Sequence, residues 1–443
     1  MVTSSPLIVE SVFVRLYGVA LVAHVVGNWA QPDVPSLVGL LNLGVGVAGL
    51  GLTLRPKRSL LLGASLLAVA SVLAEMPFTG NHWLLAALGG LAILVTRADP
   101  AHYLPVMRWI FVVFYGFAAF AKLNSGFFDP SVSCAVFYAN QSMQGFGLAP
   151  LPEASLLRTL VVWATAGIEL LIVPLLLIRR TRYAGVVLAT VFHILISFDL
   201  NQHFYDFTSI LIALLVCFLP DESVARLRIW VASWLRPLRL GWLVLGPLLV
   251  FLAVLPASEA SVAILTRLAF VVWIPVSLIW LWGVVLVWRP GVGLSWNPGW
   301  LGGAVVALAV LNGLTPYTEI KTAYGFNMYA NLVTAGGESN HFVIRNTMPL
   351  RAGYDAPVEI VESSDPSLNL YRDLGYQIAY PQFQRYLVGR DVRVDYRRGG
   401  HEFSDVHSSE IANTGPWWGR FFPLRSIDVR NPPRCQDIFL PAL

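Results

Sequence analysis

The chain has 443 residues, 56% of them hydrophobic and only 13% charged, with a net charge of +4. A soluble globular protein carries roughly 25% charged residues. Here the apolar residues come in long blocks separated by short polar breaks, the pattern of a multi-pass membrane protein. The small net charge leaves no basic footprint for nucleic acid. Three cysteines without a CxxC pair exclude a disulfide-rich scaffold and a zinc-ribbon signature.

The first residues, MVTSSPLIVE, lack a basic segment, and no small-residue cleavage site follows them, so the first apolar run reads as a retained anchor. Apolar runs follow at 11–29, 36–54, 59–75, 82–96, 106–124, 158–178, 183–198, 205–219, 239–255, 264–287 and 300–314. The fourth, seventh and eighth are short, so nine to eleven crossings are expected, with eleven favoured. Within the second run, GLLNLGVGVAGLGL reads as small-residue helix packing.

Alternation from a cytoplasmic N-terminus puts Arg55, Lys57, Arg58, Arg97, Arg108, Arg179, Arg180, Arg182, Arg226, Arg228, Arg236, Arg239 and Arg289 on one side. The opposite loops, NWAQPDVPS, EMPFTGN, residues 125–157, DLNQHFYD and PASEAS, contain no Lys or Arg. By the positive-inside rule the N-terminus is inside and the C-terminus outside, in the plasma (inner) membrane.

The fifth run, RWIFVVFYGFAAFAKLNSGFFDP, carries Lys122 near its outer end, and the chain has only two other lysines, Lys57 and Lys321. Arg108, Tyr115 and Lys122 are seven apart and so lie close to one helical face. An ionisable residue within a span is a functional candidate; a lysine snorkelling to the headgroups is the alternative. The following loop, 125–157, reads as a lid, a substrate-approach segment or a spacer.

Polar residues collect at the outer ends of several spans: His24, Asn81, His82, Lys122, Asn124, His193, Asp199, Asn201 and His203, with Glu169 near the middle of the sixth. One outward-opening cavity lined by them is the economical expectation. Asn81 also fits an N-cap, His24 and His203 fit histidines satisfied at helix ends, and Glu169 fits a structural acid. His193 is hardest to dismiss because it interrupts an apolar run. Scattered histidines without HExxH or a paired HxH give only weak support for a metal site, and no metal is predicted; neither a GxSxG elbow, a phosphate loop nor a dinucleotide fingerprint is present. A lysine held away from water loses its proton more readily, and the neutral amine is a base.

From Thr315 the texture changes to period-two segments such as NHFVIRN, APVEIVES and DVRVDYRRGG. The chain therefore divides into a multi-pass helical domain, 1–314, and a small β-rich extracytoplasmic domain, 315–443. Cys134 and Cys435 both fall outside, where they either form a bridge or stay as two unpaired thiols.

Three stretches resemble the horizontally transferred transmembrane (HTTM) family, whose best-known member is the vitamin K-dependent γ-glutamyl carboxylase. They are TGNHWLLAALGGLAIL with RADPAHYLPVMRW, RWIFVVFYGFAAFAKLNSGFF, and GIELLIVPLLLIRRTRYAGVVLATVFHILISFDLNQHFYDFTSILIALLVCFLP. YGFNMYANL, ESNHFVI and VDYRRGG are similar to the junction and β-domain of bacterial members. The resemblance implies that Lys122 is the base deprotonating a reduced quinone of the vitamin K or menaquinone hydroquinone type. It assigns His82 to assisting carboxylation, and implies CO₂ and O₂ as co-reactants of a true carboxylase. It also implies a Cys134–Cys435 bridge and a secreted or periplasmic protein as acceptor. The chain departs from the carboxylase in its much smaller C-terminal part, and in Phe326, Asn327 and Met328 where the family has Trp-Asp-Met. The leading expectation is a membrane enzyme using a lysine base on a reduced quinone or similar lipid. The competing class is a non-catalytic protein that binds lipid or assembles a partner; a transporter ranks third, since no inverted repeat is visible.

Overall fold

Each of the eleven apolar runs coincides with a helix in the computed structural model, whose described residues are 8–27, 36–202, 204–235, 238–253, 259–289, 293–428 and 433–436. They are α1 (Ile8–Gly27), α2 (Leu37–Leu54), α3 (Arg58–Glu75), α4 (Asn81–Val95), α5 (Pro100–Ala121), α7 (Leu156–Leu177), α8 (Arg182–Ile196), α9 (Phe204–Leu215), α11 (Leu238–Ala253), α12 (Glu259–Leu286) and α13 (Gly299–Leu314). Among the described residues, α1, α2, α3, α5, α7 and α13 with its 3₁₀ extension are long and apolar enough to cross a membrane. α4 and α8, at 15 residues each, and the 12-residue α9 are shorter.

Two further helices lie between these runs. The loop 125–157 holds α6 (Cys134–Gly145), started by Ser133, whose hydroxyl accepts the Ala135 N–H. Tyr138 of α6 packs edge-on against Phe204 and Tyr329, so this segment is a docked helix rather than an open lid. The arginine-bearing α10 (Asp221–Leu235) follows α9, and Asp221 accepts the Val9 N–H at 2.8 Å.

Small residues let α1 and α2 pack closely. A Cβ on Gly49 would lie 2.7 Å from the Gly18 carbonyl oxygen, so any larger residue would push the helices apart. Around this contact the bundle core buries large side chains, including Phe13, Tyr17, Trp83, Tyr103, Phe111, Phe114 and Phe218.

The polar helix ends sort onto two opposite faces. On one, Arg58 donates to the Arg97 carbonyl, Arg289 pairs with Glu222, and Asp221 meets Val9. On the other, Arg420 donates to the Leu73 carbonyl, and Asn81 and Asn124 bond to the segment after α13. Arg108 departs from expectation. Instead of marking a helix end at the surface it lies two turns inside α5, buried, and donates to the carbonyls of Cys217 and Ser295. The helix begins earlier than hydropathy suggests because Asp99 caps it and Pro100 opens it.

Beyond α13, residues 315–350 lie against the helical bundle, with Phe326 and Met328 in its core. Here β1 (Thr334–Ala335) and β2 (Glu338–Ser339) form a tight hairpin. Its turn glycines, Gly336 and Gly337, take positive φ and donate to the buried Glu319 carboxylate. The rest forms β3 (Val358–Ser363), α14 (Pro366–Leu374), β4 (Tyr376–Ile378), α15 (Tyr380–Tyr386), β5 (Arg393–Arg398), β6 (His401–His407), α16 (Ser408–Ile411) and β7 (Ile427–Asp428). The sheet is antiparallel with order β6-β5-β3-β4-β7. Val358, Ile360, Val394 and Tyr396 alternate inward and pack with Leu368, Tyr371 and Phe383 from α14 and α15. The region is thus mixed α and β rather than purely β-rich. A Cys134–Cys435 disulfide ties its tail to α6.

Candidate active site

Lys122 is the C-cap of α5, where the helix ends in the sequence Lys-Leu-Asn. Its side chain turns inward, is 4% exposed, and places Nζ 2.9 Å from Glu169 Oε2 on α7. Nζ also lies 3.3 Å from the Ala118 carbonyl and 3.4 Å from that of Met328. It is therefore neither a snorkelling anchor nor a free amine: it is one half of a buried ion pair. The Phe127 ring lies 5.8 Å away and helps close the site.

About two turns earlier on α5, Tyr115 is buried with its hydroxyl 2.7 Å from His193 Nε2 on α8. Tyr115 is within electrostatic reach of Glu169, and His193 of Lys122. The two pairs form one polar cluster between α5, α7 and α8. His193 Nδ1 is buried without a hydrogen-bond partner among the described residues, which is costly unless another group meets it.

His82 belongs to a second cluster. Its Nε2 is 2.7 Å from Asp206 Oδ2 on α9, and the same oxygen lies 3.0 Å from His24 Nδ1 on α1. His24 is thus paired inside the bundle rather than satisfied at a helix end; it stacks on Trp83 at 3.5 Å. Its Nε2 faces Glu75 at 3.7 Å. Phe207 stands between the two clusters, 6.0 Å from the His82 ring and 5.0 Å from that of His193. The single cavity expected for these residues is instead two paired clusters, because buried charges and imidazoles satisfy one another rather than line open space.

Three expected site residues do structural work. Asn124, fully buried, donates to the carbonyls of Ala121 and Ala330 and accepts from Phe127 N–H and the Asn340 amide. Asn81 does not cap α4; Gly80 precedes the helix, and the Asn81 side chain accepts the Phe326 N–H at 3.0 Å. Asn201 is exposed, joins neither cluster, and gives its backbone N–H to Asp199. His203 lies outside the described residues.

Sequence reasoning missed Asp206 and Glu75 as site members, as well as the segment that delivers Phe326 and Met328. Asp206 has a signal of its own, an acid opening the apolar helix YDFTSILIALL. The junction segment has none, since Tyr324, Phe326, Tyr329 and Asn331 all take positive φ, a backbone that residue type does not announce. A cavity of about 320 Å³ opens at the opposite end of α5, beside Leu104, Arg108 and Pro220, away from both clusters.

Residues 83–221 match the family model described as the HTTM domain, starting one residue after His82 and including Lys122, Glu169, His193 and Asp206. No curated protein and no solved structure matches the chain.

Proposed function

We propose that this HTTM-domain membrane protein is an enzyme that takes a proton from a lipid-soluble reduced quinone, or a similar lipid, at the Lys122–Glu169 pair. The observation that carries the reading is that pair, buried within the matched domain. A hydroquinone hydroxyl would give its proton to the pair, its O–H electrons staying on oxygen as an anion beside the ammonium. Tyr115 and His193 sit where they could hydrogen-bond the ring oxygens, and the orphan Nδ1 of His193 supports a ligand contact there.

The reading extends to γ-glutamyl carboxylase-like chemistry, with CO₂ and O₂ as co-reactants, His82 beside the developing carbanion, and a secreted protein as acceptor. We place the protein in the plasma membrane with eleven crossings, the N-terminus inside and the sheet-bearing region outside. The two-faced sorting of helix ends and the Cys134–Cys435 bridge support that orientation. A non-catalytic lipid-binding protein is the alternative. Lipid extraction and mass spectrometry of the purified protein separate the two: a stoichiometric quinone is expected, and ordinary phospholipid alone would count against the enzyme.

A further inference from the structure

Three side chains far apart in sequence, from three helices, converge on one point. His24 Nδ1 (α1), His82 Nε2 (α4) and an Asp206 carboxylate oxygen (α9) all lie within 4.8 Å of one another, the nitrogen–oxygen pairs at 3.0 and 2.7 Å. Two donors bound about 2.1 Å from one ion stand roughly 3–4 Å apart, so the two nitrogen–oxygen pairs lie at or just inside the spacing a shared ion needs. Small ring rotations close the difference.

The surroundings are those of a ligand set. His24 turns Nδ1 toward Asp206 and leaves Nε2 facing the Glu75 carboxylate at 3.7 Å. The Ser71 hydroxyl in turn holds Glu75 Oε1 at 2.8 Å and sits 2.8 Å from the Asn42 amide. A carboxylate behind a metal-bound histidine fixes its tautomer and orientation. Trp83 stacks on His24 and locks its ring plane. Gly80 makes room for His82, since a Cβ there would fall 2.8 Å from the His82 Cε1. Charge points the same way. Asp206 and Glu75 are both buried in the bundle, and a dication beside two neutral imidazoles cancels their two charges in one step. The His82 side chain keeps 27% exposure, which leaves one side of the site open to water or a ligand.

We propose that His24, His82 and Asp206 bind a divalent first-row transition-metal ion, with Glu75 as the positioning residue behind His24. Two imidazoles and one carboxylate without thiolate suit zinc, iron(II) or manganese(II) better than magnesium or calcium. The proposal uses none of Lys122, Glu169, Tyr115 or His193, so it stands apart from the hydroquinone step; it shares only His82 with the carboxylation step proposed above, and as a ligand His82 would act on that step through the ion.

The test is metal analysis of the full-length protein, purified in detergent through an affinity tag without histidines, followed by Co²⁺ titration of chelator-treated protein read by visible absorption. About one transition-metal ion per chain and a Co²⁺ band are expected. Both should be lost in Asp206→Asn and His82→Ala and kept in Asn201→Ala, an exposed position in neither cluster. Glu75→Gln should weaken Co²⁺ binding by about 10–100-fold without abolishing it. His82→Ala, at the open edge, keeps the test informative if Asp206→Asn fails to fold. A folded wild-type protein with neither metal nor a Co²⁺ band would overturn the proposal and leave a histidine–carboxylate ion-pair network. So would metal retained in both ligand variants. Either result leaves the hydroquinone reading standing.

Discussion

Lys122 and Glu169 form a buried ion pair within a low-dielectric bundle, so their fates are coupled. Removing one alone strands the other, which costs about 3–5 kcal/mol for a buried pair. Lys122→Met or Glu169→Leu singly should therefore lower thermal stability sharply, while the double change to Met and Leu should recover most of it. A double variant no more stable than the singles would show that the pair does not act as a unit. Lys321 gives a pH prediction outside the spans. Its amine is buried against the Asn312 side-chain oxygen at 2.9 Å, and desolvation lowers it from 10.5 to about 7. Between those values the unfolded chain holds more protons than the folded one, so stability should rise with pH across that window. Unfolding temperatures measured from pH 7 to 10 should climb in the wild type and flatten in Lys321→Met; equal slopes would refute the assignment.

At the level of elements, the end of α5 is fastened to the post-α13 segment chiefly through Asn124, whose amide and carbonyl are both fully engaged. Asn124→Ala leaves those backbone groups unpaired in the interior and should cost about 1–3 kcal/mol, read as a lower unfolding temperature. A change under about 0.5 kcal/mol, the usual range for surface substitutions, would mean the joint lies elsewhere. Hydropathy exposes all eleven apolar helices because a membrane demands unbroken apolar length. It hides α6 and α10, which carry polar or arginine-rich faces and need no such length. Lys122 and Glu169 were each visible as ionisable residues in apolar runs, but their pairing was not, since it depends on how α5 and α7 rotate against each other. The same holds for His24, His82 and Asp206, whose wide spacing conceals a cluster that only the packing of α1, α4 and α9 creates.

Over the whole molecule, the two clusters and the sheet-bearing region share the face defined by Asn81, Asn124 and Arg420. The disulfide links residues 301 apart and joins that region to α6. If this face is extracytoplasmic, a membrane-impermeant thiol reagent added to intact cells should label Cys134 and Cys435 only after reduction. Labelling that requires permeabilisation would reverse the orientation. The arginine asymmetry of the sequence predicts this orientation; the docking of residues 315–350 into the bundle was not legible there, because it rests on backbone geometry rather than residue type.

The central claim is that the Lys122 cluster removes a proton from a reduced quinone. Its most direct test is hydroquinone-dependent epoxidation by the purified protein in lipid, compared with Lys122→Ala and Lys122→Arg at matched folded concentration. The account predicts turnover by the wild type and loss of at least about 100-fold in both variants, the scale of a missing general base. Turnover that survives both substitutions would contradict it.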